Sequence, residues 1–194
     1  MLLWTIQPEA AYEEIVRNGV YRTDESLALS NDFYELKLPY DWMVKKMISR
    51  IGEPPSGVSY PIWAWHTWEG KRKRRDLRKK GYANKGTRLI QMEIEVPDQE
   101  VFLTDFDLWV AILNGFNLNI ESEEGFENDW YCLQAAENSE HYADYKKDII
   151  ESWDKCIEPA VHNEMYMPDV KSIQATFWEI RSEYVKRTQP FVCR

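Results

Sequence analysis

Apolar positions in the first quarter of the chain follow two different periods, and each period predicts a different element. Residues 2–7 are apolar and rich in β-prone side chains, which predicts a first strand. Pro8 suits the first turn of a helix, and the one-sided apolar positions after it predict a helix that ends at Gly19. The helical spacing returns over 39–51 and predicts a second helix, which Gly52 ends.

Alternation of apolar and polar residues predicts the strands in the middle of the chain. On the strand predicted over 62–68, one face carries Trp63, Trp65 and Thr67. The other face carries Ile62, Ala64 and His66. The clearest strand covers 87–96, where aliphatic residues point inward and the intervening polar residues point to solvent. These polar residues are Gln91, Glu93 and Glu95. A short strand over 101–103 follows.

Both periods occur again towards the end of the chain. Thr104 is the predicted N-cap of a helix, with Asp107 placed three residues later as in a capping box. A helical stripe over 142–156 predicts another helix, and weak alternation over 172–180 predicts a strand. Residues 181–186 are predicted to form a final short helix.

Together these elements predict an α+β fold in a single domain over residues 1–194. The sheet is expected to be small, mixed or antiparallel (split), with helices flanking it. A chain of 194 residues is about one domain long, and a composition of 44% hydrophobic and 29% charged residues is that of a globular protein. No stretch of linker composition is long enough to separate two domains.

The net charge is −9, yet the basic residues are concentrated in one stretch. Residues 71–85, the basic block, contain nine Lys or Arg and one acid, Asp76. The block is predicted to form a short helix over 72–80, closed by Gly81, and to attract phosphates that the acidic remainder repels. The residues predicted to contact phosphates are Lys71, Arg72, Arg74, Arg75 and Arg78. The alternative is an ordinary solvated loop.

Several classes of protein find no support in the sequence. Cys132, Cys156 and Cys193 show no CxxC spacing, and the three histidines share no short spacing with cysteines or acids, so no disulfide framework and no metal site are predicted. There is no GxSxG, Walker A or GxGxxG motif. No apolar run approaches the roughly 20 residues that span a bilayer, and no signal peptide is evident, so we expect a reduced cytoplasmic protein without membrane contact.

The paired tryptophans of the 62–68 strand have two interpretations. Trp63 and Trp65 either pack in the core or line a pocket, where indoles stack on a nucleobase or a nicotinamide-like ring. Asp105 and Asp107 open a predicted helix, where carboxylates are stabilised by the helix dipole. Capping is therefore favoured over catalysis for both, and no catalytic residue is assigned.

Six motifs in order give the chain a family resemblance. They are LWTIQ at 3–7, YDWMVKKM at 40–47, YPIWAW at 60–65, DLR at 76–78, FLTDFDLW at 102–109 and QATFWEI at 174–180. By these motifs, which cover nearly the whole chain, the sequence resembles a bacterial family described only as a domain of unknown function. Membership implies no activity.

Three longer segments resemble DNA-modifying ADP-ribosyltransferases of the DarT-like type. Residues 3–21 are similar to their strand–helix–Gly opening, and 102–109 to their central TDG-containing segment. Residues 172–191 are similar to their closing QAE-containing strand and the helix after it. This resemblance implies an ADP-ribosyltransferase-like split-sheet fold with an NAD cleft and a basic loop suited to nucleic acid.

Two positions depart from that resemblance. Thr5 stands where the family has its first-strand histidine, and Thr176 stands where it has its catalytic glutamate. A threonine hydroxyl cannot supply the charge with which a carboxylate stabilises an oxocarbenium-like state. Glu179 lies three residues after Thr176, so on one continuous strand it would point to the opposite face. Any transfer activity is therefore expected to be degenerate or altered.

The expected ligand is NAD or another nucleotide. Its cleft is expected to be lined by Thr5, Gln7, Trp63, Trp65, Gln174 and Thr176. One alternative is a non-enzymatic nucleic-acid or nucleotide-binding module, PUA-like in fold, that uses the basic loop over 71–80. Another is a structural or partner-binding protein, because aromatic residues also serve protein interfaces.

Overall fold

The computed structural model describes residues 1–23, 36–79, 81–120, 122, 124–125, 142–157 and 170–194. The α-helices in these ranges are α1 (Glu9–Asn18), α2 (Lys37–Ile51), α3 (Phe106–Leu113) and α4 (Tyr142–Ser152). The strands are β1 (Leu2–Pro8), β2 (Val20–Arg22), β3 (Ile62–Thr67), β4 (Arg88–Glu95), β5 (Phe102–Asp105), β6 (Ile173–Phe177), β7 (Glu179–Arg181) and β8 (Val185–Val192). The predicted α+β class is confirmed.

The chain divides into two compact units, Met1–Phe102 with Gln174–Arg194, and Leu103–Ile173. In the first unit, five strands of the larger sheet lie in the order β6-β3-β1-β4-β8, and β2 pairs with β7 in a small sheet. The pairs β1–β3, β1–β4, β4–β8 and β2–β7 are all antiparallel. A single domain over 1–194 and an ADP-ribosyltransferase-like arrangement both stay predictions.

The core of the first unit forms on one face of the central strands. Leu3 of β1 lies opposite Ile94 of β4, and both are fully buried. Helix α1 contacts β1 and β4 and buries Ile15. As predicted, α1 ends at Gly19, whose φ of 78° requires the left-handed region and whose N–H donates to the Ile15 carbonyl.

The final helix predicted over 181–186 is wrong. Ser182–Tyr184 forms a single 3₁₀ turn, and the chain then continues as β8, which pairs with β4 from Arg88 opposite Val192 to Ile94 opposite Val185. The ladder to β4 overrides the weak local helical preference, because its hydrogen bonds join residues distant in sequence. Pro190 is compatible with this strand, since β8 lies at the edge of the sheet.

The single strand predicted over 172–180 is in fact two strands. Strand β6 belongs to the larger sheet and β7 to the small one, so the chain changes sheet at Trp178. The Trp178 indole Nε1 donates to the Gly52 carbonyl at 3.0 Å, which fixes this crossing point. Alternation over such a short stretch does not reveal a change of sheet.

Two details of the second unit also differ from the predictions. The N-cap of α3 is Asp105 and not Thr104, because the Asp105 carboxylate accepts from the backbone N–H groups of Asp107 and Leu108. Residues 142–156 do not form one helix, since α4 ends at Ser152 and a 3₁₀ turn over Trp153–Ile157 follows. In the described part of the chain, no helix is long and apolar enough to cross a membrane.

Candidate functional site

The basic block does not form the predicted helix over its described residues, which lack only Lys80. It starts from a tight hairpin turn at Glu69 and Gly70, whose φ angles are 50° and 70°. Trp68 and Lys71 flank this turn and exchange backbone hydrogen bonds of 2.9 and 3.1 Å. The block then runs as an irregular loop, because the hydrogen bonds of Arg72 and Arg74 to distant residues of the sheet override the local helical preference.

Two arginines predicted to contact phosphates hold this loop against the sheet. The Arg72 guanidinium donates to the carbonyls of Leu2 and His66 and lies 5.3 Å from the centre of the Trp4 ring. Arg74 Nη1 donates to Gln189 Oε1 on β8 at 3.0 Å. Both side chains are therefore engaged within the protein.

The basic block covers part of one face of β4, at Gln91. The alternation predicts Gln91 in solvent, but only 4% of its surface is exposed, so that prediction is wrong. Its Nε2 donates to the backbone carbonyl of Arg75 at 3.1 Å, and the basic block thereby shields it. Glu95 on the same face is exposed, as predicted, and Glu93 is partly exposed.

Beneath the basic block lies a cavity of about 520 Å³, here called the pocket. It opens between the end of β1, strand β3 and the start of β6, all in the first unit. Its lining consists of Ile6, Gln7, Pro8, Tyr21, Thr23, Pro61, Ile62, Trp63, Ala64, Trp65, Arg75, Gly81, Tyr82 and Gln174. Four of the six residues predicted to line a cleft are therefore brought together: Gln7, Trp63, Trp65 and Gln174.

The faces of strand β3 alternate as predicted, and both tryptophans on its more exposed face line the pocket. Ile62 and Ala64 are each 2% exposed, whereas Trp63 and Trp65 on the other face are half-buried. Trp65 lies directly opposite Trp4 of β1. The indoles thus offer ring surface beside a cavity instead of filling the core.

Arg75 lines the same pocket and is enclosed by three rings, here called the ring box. Its guanidinium carbon lies 5.5 Å from the Trp65 ring centre, 4.2 Å from that of Trp68 and 4.8 Å from that of Tyr82. Each distance is within the range of a cation–π contact. Of the five predicted phosphate-contacting residues, only Arg75 lines the pocket.

Two glutamine amides supply polar groups at the pocket wall. Gln7 Nε2 donates to the Thr5 hydroxyl at 2.8 Å, and that hydroxyl donates to the Trp63 carbonyl at 2.8 Å. Gln174 Oε1 is buried and has no hydrogen-bond partner among the described residues, and the same holds for Arg75 Nε. A buried acceptor and a buried donor therefore remain for a ligand.

The two threonines expected in the cleft do not line the pocket. Thr5 is 1% exposed, and its hydroxyl links Gln7, from which it accepts a hydrogen bond, to the Trp63 carbonyl, to which it donates one. Thr176 is fully buried, and its hydroxyl donates to the Phe102 carbonyl at 3.3 Å.

No carboxylate substitutes for the missing glutamate, because the described lining residues include no Asp or Glu. Glu179, the nearest candidate in sequence, instead pairs with Arg22 and Arg181 at 2.8 and 2.7 Å. Burial acts to raise the pKa of Glu179, but the hydrogen bonds from these arginines outweigh it and hold the pKa below its ordinary value.

The remaining predicted phosphate contacts lie away from the pocket. Lys71 is exposed, and Arg78 forms an ion pair with Asp76 at 2.7 Å. Hydrogen bonds from Arg78 hold the pKa of Asp76 well below its usual range. Arg78 also lines a second, larger hollow of about 870 Å³, together with Leu77, Lys85, Gly86, Gln189, Phe191, Val192, Cys193 and Arg194.

Several lining residues escaped the sequence predictions. Tyr21 lies on the three-residue strand β2, and Tyr82 lies in a segment without periodicity, so neither carries a local signal. The one sequence signal for Tyr82 is that aromatic residues flank the basic run. No group of three or more His, Cys, Asp or Glu in the described part of the chain could hold a metal ion.

Comparison with known proteins places the chain in one family. No curated protein and no solved structure matches it. A family model described as a domain of unknown function (DUF3841) matches residues 2–186. This match covers nearly all of the sequence and spans the positions of all six motifs, so the chain belongs to that family.

Proposed function

We propose that this protein binds a nucleotide in the pocket, with NAD among the candidate ligands. The observation that carries the proposal is the convergence of Gln7, Trp63, Trp65 and Gln174 on one cavity of about 520 Å³. These residues come from three separate strands, and chain proximity alone does not unite them. Small-molecule sites of about 300–1,000 Å³ are typical, so the volume suits a mononucleotide or one half of a dinucleotide.

The chemistry of the wall supports a planar, hydrogen-bonding ligand. Indole and phenol rings stack on nucleobases and nicotinamide-like rings, and the amides can read the edge of such a ring. Gln174 Oε1 in particular is a buried acceptor without a partner among the described residues. Its position favours a ligand that presents an N–H group.

The same wall favours binding over glutamate-dependent transfer. The described lining has no carboxylate, and Thr176 directs its hydroxyl to a backbone carbonyl. Without a negative charge, an oxocarbenium-like state at the ribose would lack its main stabilisation. We therefore propose an ADP-ribosyltransferase-like pocket used for nucleotide binding.

Titration calorimetry with NAD, ADP-ribose and mononucleotides tests the proposal. At least one ligand should bind, and Gln174→Leu should weaken it by about 5- to 100-fold, since a buried hydrogen bond is lost. Gln99→Leu, which changes an exposed glutamine outside the pocket, is the matched control and should bind like the parent. Silence with every ligand would overturn the proposal.

A second candidate function, nucleic-acid binding, is favoured by the larger hollow. Arg78, Lys85 and Arg194 line it, and its described lining includes no acidic side chain. Binding through these residues should weaken steeply with salt and should collapse when Arg78 and Lys85 are both changed to Ala. Arg72 and Arg74 are poor targets for that test, because their loss would also release the loop.

A further inference from the structure

The ring box holds the Arg75 guanidinium in a defined place. Three rings surround it at 4.2 to 5.5 Å, and Gln91 Nε2 holds the backbone of the same residue through its carbonyl. Both the main chain and the side chain of Arg75 are thus constrained before any ligand arrives. A group constrained in this way loses little conformational freedom on binding.

Arg75 is also the one charged side chain among the described lining residues of the pocket. Three other bases in the block are paired with acids: Lys73 and Lys79 with Glu69, and Arg78 with Asp76. Rings can cover the faces of a guanidinium while its N–H groups stay in the plane between them. One of these groups, at Nε, is buried without a hydrogen-bond partner among the described residues.

We infer that Arg75 recognises a phosphate, so that the pocket takes a nucleoside phosphate in preference to a free nucleoside or base. This inference rests on the proposed function and names the class of ligand for the same site. The guanidinium donates in-plane N–H groups to phosphate oxygens, a geometry that arginine favours. Trp68 and Tyr82 are positioning residues, because their rings hold Arg75 in place.

Paired titrations test the inference with defined probes. The affinities of adenosine and AMP, and of uridine and UMP, are measured for the parent protein and each variant. In the parent, at least one monophosphate should bind more tightly than its own nucleoside. The expected ratio of the two affinities is about 10- to 100-fold, the usual gain from a charge-assisted hydrogen bond. In Arg75→Gln, this ratio should fall to within about twofold of unity.

Trp68→Leu separates positioning from direct contact, because Trp68 does not line the pocket. It should reduce the phosphate preference by about fivefold or more, while nucleoside affinity changes by less than about twofold. Arg17→Gln is the matched control, since Arg17 is an exposed arginine on α1 that lines neither the pocket nor the larger hollow. It should leave the preference unchanged.

The possible outcomes distinguish the inference that Arg75 recognises a phosphate from the proposal that the pocket binds a nucleotide. Equal affinity for nucleoside and monophosphate in the parent overturns the inference and leaves nucleotide binding intact. An equal loss of preference in Arg17→Gln also overturns it, because general charge would then explain the effect. Absence of binding to these four probes overturns the inference, and absence of binding to NAD and ADP-ribose as well removes both. If Trp68→Leu shows no cooperative thermal unfolding, it is not folded. The ratio of monophosphate to nucleoside affinity in Arg75→Gln then tests the inference by itself.

Discussion

Asp105 shows how burial decides the role of an ionisable residue. Its side chain is fully buried, and Oδ1 accepts from Asp107 N at 3.0 Å and Leu108 N at 3.2 Å. Burial raises the pKa of Asp105, although the two helix amides and Lys171 act in the opposite direction. Capping of α3, favoured from the sequence over catalysis, is the role that the structure shows.

We expect Asp105→Asn to be at least as stable as the parent at neutral pH. The folded pKa lies above the unfolded value, so the native state binds more protons and loses stability as pH rises from about 3.8 through the folded pKa. Asn caps a helix about as well as Asp and does not titrate, so this loss disappears. Urea unfolding from about pH 3 to pH 7 measures both effects.

Asp105→Ala is the control for that prediction. It removes the acceptor of two backbone N–H groups and should cost about 1 kcal/mol of unfolding free energy. If Asn proved as costly as Ala, the capping explanation would be wrong.

At the scale of elements, the basic block is the feature whose interpretation changes most. Its charge predicts a phosphate-contacting segment, yet Arg72, Arg74 and the Arg75 carbonyl fasten it to strands β1, β3, β4 and β8. Some of the partners of these arginines lie far away in sequence, as do Leu2 and Trp4 for Arg72 and Gln189 for Arg74. Charge density along a chain does not reveal such partners.

Gln91→Leu should loosen the basic block. The change removes the hydrogen bond to the Arg75 carbonyl, worth about 1 kcal/mol, and should raise the population of the open loop about fivefold. Because the block is rich in Lys and Arg, the initial rate of trypsin cleavage between residues 71 and 85 measures this opening. Gln99→Leu is the control, and an unchanged rate in Gln91→Leu would contradict the proposed fastening.

For the whole molecule, ligand binding to the pocket should stabilise the fold. A nucleotide at about 100 times its dissociation constant adds about 2.7 kcal/mol to the unfolding free energy. For a chain of this size, the midpoint of thermal unfolding should rise by about 5 to 11 °C. Gln174→Leu at the same ligand concentration should show a smaller rise, and inorganic phosphate alone should give little. If the unfolding midpoint of Gln174→Leu rose as much as that of the parent, the ligand would bind outside the pocket.

Much of the fold follows from local patterns. Helices α1 and α2 and strands β1, β3 and β4 were predictable, because burial on one face repeats at helical or strand spacing within a few residues. The alternation on β3 also predicted that Trp63 and Trp65 share a face. Strand β8 was not predictable, because its ladder to β4 depends on pairing across about a hundred residues.

The sequence alone therefore established the class of fold, the family motifs and the residue types available for a site. Tertiary structure decided which of them meet, because Gln7, Trp65 and Gln174 lie on strands β1, β3 and β6, which become neighbours only in the folded sheet. It also directed Arg75 into the ring box and Arg72 onto the carbonyls of Leu2 and His66. Periodicity shows which face of an element is buried, but it does not show which distant residues pack against that face.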